Sequence, residues 1–367
     1  MSLDSKIFNT EKTDYSKPSL LLGEQDAGLF DTVNKSYPEI WKRYKSLKSL
    51  DWDENEFDYS SCNNTFKTVP KHTADKMIKT LAWQWEADSV AAKSIYSILA
   101  PFISSPELNA AEQQRSANEN VHSATYSEIV RMSFDNPRDV LDEILSIQEA
   151  FARLEIVGGV FSDAYKTSHK YALGEVENNQ DTYNKAFMMY CALLALEGIQ
   201  FMSSFAVTFS IVETGVFMPI GKAVQKIAQD EVEEHVELNK SVLLNELSTE
   251  RGKVAFSQNK DKIKKLIDEV VDSEFKQVDY LYSDGNEEVG INADLSKKWT
   301  LWCAKPVYEF FGLESAYELP QVNPLKFMNK YLDISATQAS PQEQDNGQYR
   351  VNMVRRGDEN VKFDIDF

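Results

Sequence analysis

The sequence predicts an all-α protein: a helical bundle with a dimetal-carboxylate site in its core and a disordered C-terminal tail. Three observations carry that expectation. Two segments each hold a glutamate and a histidine about one helical turn apart, Glu119-x-x-His122 and Glu231-x-x-x-His235. Glycine and proline number only 14 and 11 in 367 residues, and no proline falls between Pro137 and Pro219 or between Pro219 and Pro306, so long helices run uninterrupted. Apolar residues recur at helical spacing through the same segments.

Residues 77–99 form the first of four core helices. Their inward stripe runs Leu81, Trp85, Asp88, Ala92, Ile95, Leu99, which puts an aspartate where the pattern asks for an apolar side chain. The next helix opens at Ser105-Pro106-Glu107, a capping serine with proline at the first helical position, and stops before Asn136-Pro137. Its stripe reads Leu108, Ala111, Arg115, Glu119, His122, Tyr126, Ile129, with polar groups in the middle of the buried face. A third helix, residues 186–212, is apolar almost throughout, and its one formal charge is Glu197. The fourth starts near Pro219 and carries Val224, Ile227, Glu231, His235, Leu238 and Val242.

Each of the four helices therefore buries a group that an apolar core cannot accept unpaired. An uncompensated charge in a low-dielectric interior costs several kcal/mol or more, so buried charges are paired or bind metal. Glutamate and histidine three or four positions apart share one helix face, and two such helices with one carboxylate from each of two more can surround a pair of metal ions. Asp88, Glu119, Glu197 and Glu231 with neutral His122 and His235 leave four negative charges, which two divalent cations cancel. Any one of these residues alone would more often be an ordinary core or domain-edge group. Six placements on four helices together point to ligation. Carboxylate and imidazole donors without cysteine favour iron or manganese over a closed structural zinc site.

The formal charge of −19 argues against nucleic-acid binding, which needs a basic face. Cys62, Cys191 and Cys303 are odd in number and far apart, the pattern of reduced thiols in a cytoplasmic protein. The polar N-terminus lacks the apolar core of a signal peptide. Residues 186–212 are long enough to cross a bilayer, but Glu197, Gln200 and Ser203-Ser204 would be costly facing lipid, so the segment is expected inside a soluble bundle. Neither a glycine-rich phosphate loop nor a basic pocket is present for a nucleotide.

Around the ligand residues the sequence resembles the small, radical-generating subunit of class I ribonucleotide reductase. The string NENVHSATY sets Tyr126 one turn after His122. Glu197 is the third residue of ALEGIQFMSSF, which sets Phe201 and Phe205 at the family's apolar positions around its radical tyrosine, and Ile227 matches a third member of that pocket. Asp230 precedes Glu231 in IAQDE, Trp52 lies in SLDWDENEF, and Glu343 precedes Tyr349 near the end. The resemblance covers the chain from about Trp52 to the C-terminus.

It implies a ferritin-like helical bundle, two iron or two manganese ions, and a stored tyrosyl radical on Tyr126, with Asp88 as hydrogen-bond partner of that tyrosine. It implies further that the oxidising equivalent leaves through His122, Asp230 and Trp52, then Tyr349, to a large catalytic subunit that reduces ribonucleotides. A homodimer is the family expectation. The second ligand pair departs from the family's Glu-x-x-His, since Val232 stands three residues before His235. Residues four apart still share a face, and a one-residue π-bulge would restore the shorter spacing. Glu231 is preferred as the ligand, with Glu234 close enough to the stripe to be a rival.

The chain divides into an N-terminal extension (1–30), the bundle (31–335) and a flexible tail (336–367), whose acidic and apolar terminus KFDIDF suits a groove on the large subunit. The alternative is a ferritin-like dimetal oxidase without a reductase partner, which would need neither Trp52 nor the tail.

Overall fold

The computed structural model describes residues 19–24, 29–144 and 147–333, together with Asn9. Among them the strand-like pairings are two isolated bridges, Leu21 with Ile103 and Glu288 with Ile291, and the rest of the regular structure is helix. Glu343 and Tyr349, with the whole proposed tail, lie outside the described residues.

Two short helices, α1 (Pro38–Ser49) and α2 (Cys62–Thr68), precede the first long one, α3 (Lys71–Leu99). It begins six residues ahead of the expected 77 because Pro70 sets its start and because Lys76, a residue no apolar pattern selects, is buried there. The Lys76 ammonium donates to the Asn286 carbonyl at 2.6 Å and to Glu288 at 3.1 Å, which makes its burial tolerable. The expected stripe is also partly out of phase. Trp85 and Ala92 are only half-buried, whereas Trp83, Ala87 and Ala91 are buried, because α3 packs against neighbours on more than one side and covers a face wider than a single stripe.

The helix α4 (Pro106–Ser133) opens as the sequence predicts, with Ser105 Oγ accepting from the Leu108 amide and Pro106 at the first position. It lies along α3 and against α1. After α5 (Pro137–Ile144) and α6 (Gln148–Ala172), Asn179 caps α7 (Gln180–Ala195) by accepting from Thr182 N at 3.0 Å. A π-turn, Leu196–Phe201, joins α7 to α8 (Met202–Val212) in one continuous rod. The stretch Gln180–Val212 is long and apolar enough to cross a membrane, and its most apolar window is 89% buried within the bundle. That is the behaviour of a central core helix.

A second π-turn, Glu231–His235, joins α9 (Met218–Asp230) to α10 (Val236–Ser248). Where α9 meets α8, a Cβ on Gly221 would lie 2.5 Å from Val212 Cγ1, so only glycine permits that approach. The long α11 (Glu250–Leu281) packs on α6, α7 and α12 (Ala293–Phe311), and α13 (Met328–Leu332) closes against α9. The four core helices of the sequence reading are α3, α4, α7–α8 and α9–α10.

Candidate metal centre

Six buried side chains from these four helices converge on one place. Asp88, Glu119, His122 and Glu231 each offer a ligand atom, all within 4.8 Å of one another, and Glu119, Glu197, Glu231 and His235 do the same. Glu119 and Glu231 belong to both sets. None of the six is more than 1% exposed. His122 Nδ1 lies 3.5 Å from Glu119, 3.3 Å from Glu231 and 4.0 Å from Asp88, while His235 Nδ1 lies 3.3 Å from Glu119 and 2.9 Å from Glu231. Of these contacts only the 2.9 Å pair has hydrogen-bond alignment. Both oxygens of Asp88, Glu119 and Glu197 have no hydrogen-bond partner, nor do His122 Nδ1 and His235 Nε2.

So many orphaned donor atoms at one buried point fit a pair of divalent ions. Each unsatisfied buried polar group otherwise costs about 1–3 kcal/mol, more when charged. The protonation of the cluster says the same. Burial, then the neighbouring Glu119, pushes Asp88 well above the usual carboxylate range, and burial followed by Glu231 does this to Glu197. Burial would raise Glu231 too, but His235 and His122 hold it well below its usual value, and Glu119 is lowered by the same imidazoles against burial and Glu231. Burial alone would lower the imidazoles. Asp230, Glu119 and Glu231 instead raise His122 well above 6.5, and Glu231 and Glu119 bring His235 to about 9. Protons thus do the neutralising that metal would do, and loading must release them.

The sequence left Glu231 and Glu234 as rivals, and the geometry separates them. The π-turn rotates Glu231 into both ligand sets, whereas Glu234 is buried beside α1, with Ser46 and Arg43 as neighbours. Beyond the ligands, His122 Nε2 lies 3.0 Å from Asp230 Oδ2, and the Trp52 indole donates to the same oxygen at 2.8 Å. The Trp52 and His122 rings lie near-parallel with centroids 6.1 Å apart. Tyr126, Phe201, Phe205 and Ile227 share one hydrophobic cluster, with Phe201 and Phe205 ring centroids 5.9 Å apart. The expected hydrogen bond between Tyr126 and Asp88 is not formed. The Tyr126 hydroxyl and both Asp88 oxygens are buried without partners, because the carboxylate belongs to the ligand set instead.

Residues 29–324 match the family model described as ribonucleotide reductase, small chain. The chain belongs to this family. The small subunit is 25% identical over 363 residues to ribonucleoside-diphosphate reductase 1 subunit beta of Salmonella typhimurium, covering 95% of each chain. It is 22% identical over 378 residues to the corresponding subunit beta of Enterobacteria phage T4, covering 95% of this chain and 96% of that one. Among solved structures it resembles the ribonucleotide reductase R2 subunit of Clostridium botulinum, with a TM-score of 0.78 at 16% identity, over 89% of this chain and 98% of that one. The dimanganese(II)-NrdF of Streptococcus sanguinis gives 0.67 at 12% identity, over 83% and 100%. These likenesses establish the ferritin-like bundle.

Two polar groups of the small subunit escaped the sequence reading as site residues. One is Arg153, whose guanidinium pairs with Glu274 and stacks 3.5 Å over Trp83 beside the Leu196–Phe201 π-turn. The other is the set Glu112, Arg115, Tyr190 and Asn239 next to the ligands. Arg115 stood on the stripe in plain view, four residues before Glu119, but its partners come from helices distant in sequence.

Proposed function

We propose that this ribonucleoside-diphosphate reductase small subunit stores its oxidising equivalent as a neutral radical on Tyr126 and delivers it to the large catalytic subunit, where ribonucleotides are reduced. Asp88, Glu119, His122, Glu197, Glu231 and His235 would hold two metal ions, Glu119 and Glu231 being common to both groups of donor atoms. Bound there and oxidised by oxygen or an oxygen-derived oxidant, the ions would supply the one-electron oxidation. Four carboxylates and two imidazoles accept iron or manganese alike. The observation that carries the reading is the shared Asp230 oxygen, which links ligand His122 to Trp52 by hydrogen bonds of 3.0 and 2.8 Å. A centre that only oxidised substrates in place would need no such path outward, and nothing in the site favours the stand-alone oxidase.

Phe201, Phe205 and Ile227 keep water from the radical in this reading, and Glu343 and Tyr349 continue the route in the tail, residues 336–367, that docks on the large subunit. A cytoplasmic homodimer of the bundle, residues 31–335, completes the proposal, with neither membrane nor nucleic acid as partner. The test is turnover of ribonucleoside diphosphates with metal-loaded chain and a class I large subunit. Trp52→Phe, which keeps the ring and loses the donor to Asp230, should retain two metals and drop turnover at least 100-fold. Undiminished turnover in Trp52→Phe would remove the route.

A further inference from the structure

The proposed route leaves the core at Trp52, and α9 meets that residue at two points. Asp230 accepts from the indole N–H at 2.8 Å. Lys226 stands one turn earlier on the same face of α9, and its Nζ lies 5.4 Å from the centroid of the Trp52 ring. The Phe57 ring centroid is 5.6 Å from the same nitrogen. An indole carries partial negative charge on its face and partial positive charge at its N–H edge. An ammonium over the ring and a carboxylate at the edge therefore each meet the matching pole.

A free lysine would hold no such place, because its long stem has many rotamers and its head is strongly hydrated. Lys226 is not free. Its ammonium donates to Glu56 Oε2, and the pair is only partly exposed, 20% at the lysine and 32% at the glutamate side chain. Glu56 is fixed in turn, since its other oxygen accepts from the Asp53 amide at 3.3 Å in the capping box of the short turn Glu54–Glu56. Pairs near the surface add little to stability by themselves. The effect of this one is to set the ammonium over an indole that is itself buried and lies near-parallel to the His122 ring.

We propose that Lys226 is a positioning residue for Trp52: held by Glu56, its ammonium presses on the indole face and keeps the N–H edge on Asp230. The inference rests on the route through Trp52 and adds to it the group that keeps the link from His122 through Asp230 to Trp52 closed.

Nuclear magnetic resonance of the full-length chain tests the clamp, with its indole nitrogens isotope-labelled and with diamagnetic zinc(II) supplied to the metal centre. Each of the six tryptophans gives one N–H signal, and that of Trp52 is the one missing from Trp52→Phe. In Lys226→Met the Trp52 N–H should exchange with deuterium about 5–30-fold faster than in wild type, the factor that loss of a cation over the ring implies, while the other tryptophans keep their rates. Lys226→Arg restores the cation and should keep the wild-type rate. Glu56→Gln, which releases the lysine, should move the rate in the direction of Lys226→Met. With a class I large subunit, Lys226→Met should lose kcat while the KM for that subunit stays unchanged. An unchanged Trp52 rate in Lys226→Met overturns the proposal, as does acceleration at every tryptophan alike or an equal acceleration in Lys226→Arg. Acceleration at Trp52 alone, with full turnover in both Lys226→Met and Trp52→Phe, overturns the route instead and leaves the clamp in place.

Discussion

Burial, and then the carboxylate of Asp88, holds the Tyr126 phenol far above its usual range, so in the proposed storage of a radical there the proton leaves with the electron or after it, not before. His235 shows the complementary case. Its carboxylate neighbours raise it to about 9 against an unperturbed 6.5, so the charged imidazole stabilises the metal-free fold fully below about pH 6.5. That contribution is lost as pH rises through about 9. Metal titration near pH 7 in weak buffer should accordingly release protons, read with an indicator dye, and metal-free protein should lose thermal stability between pH 7 and 9.5 more steeply than loaded protein. His235→Ala should bring stoichiometry below two metals per chain. Glu234→Ala, whose carboxylate faces α1, should leave it at two. Loss on Glu234→Ala with full occupancy in Glu231→Ala would mean that the wrong glutamate has been placed in the centre.

Both π-turns carry members of the buried cluster, Glu197 in one and Glu231 with His235 in the other, and the wider turn is what aims each inward. The sequence betrayed only the second, through the four-residue spacing of Glu231 and His235. In the other, Leu196–Phe201, a helix buried on every side leaves no periodic mark by which an inserted residue could be noticed. The cap at Ser105, the stripe of α4 and the six side chains that meet in the buried cluster were legible because each depends on local spacing. Arg153 was not, because its partners lie on other helices. Its Nε and Nη2 donate to the two Glu274 oxygens at 2.5 and 2.6 Å, and Nη1 donates to Ser204 Oγ at 2.8 Å. Arg153 Nη2 also donates to the Gln200 carbonyl, and Gln200 Nε2 returns a bond to the Arg153 carbonyl, which braces the π-turn behind Glu197. Glu274→Gln leaves a buried guanidinium unpaired and should cost about 3–5 kcal/mol in denaturant unfolding, whereas a packed Arg153→Met, Glu274→Leu double variant should cost less. A loss below about 1 kcal/mol in Glu274→Gln would show that the brace carries no load.

At the scale of the molecule, a chain of charge −19 gathers four of its carboxylates at a single buried point and joins that point to Trp52. That formal charge is unfavourable for nucleic-acid binding, which needs a basic face. Storage at the centre and exit through Trp52 are separable, and storage is the more basic of the two. Low-temperature electron paramagnetic resonance with metal analysis, on wild type and Tyr126→Phe assembled in parallel with iron or manganese and the matching oxidant, addresses it directly. The account predicts two metals per chain in both proteins, a tyrosyl signal in the wild type and none in Tyr126→Phe. A wild-type tyrosyl signal persisting in Tyr126→Phe would contradict it.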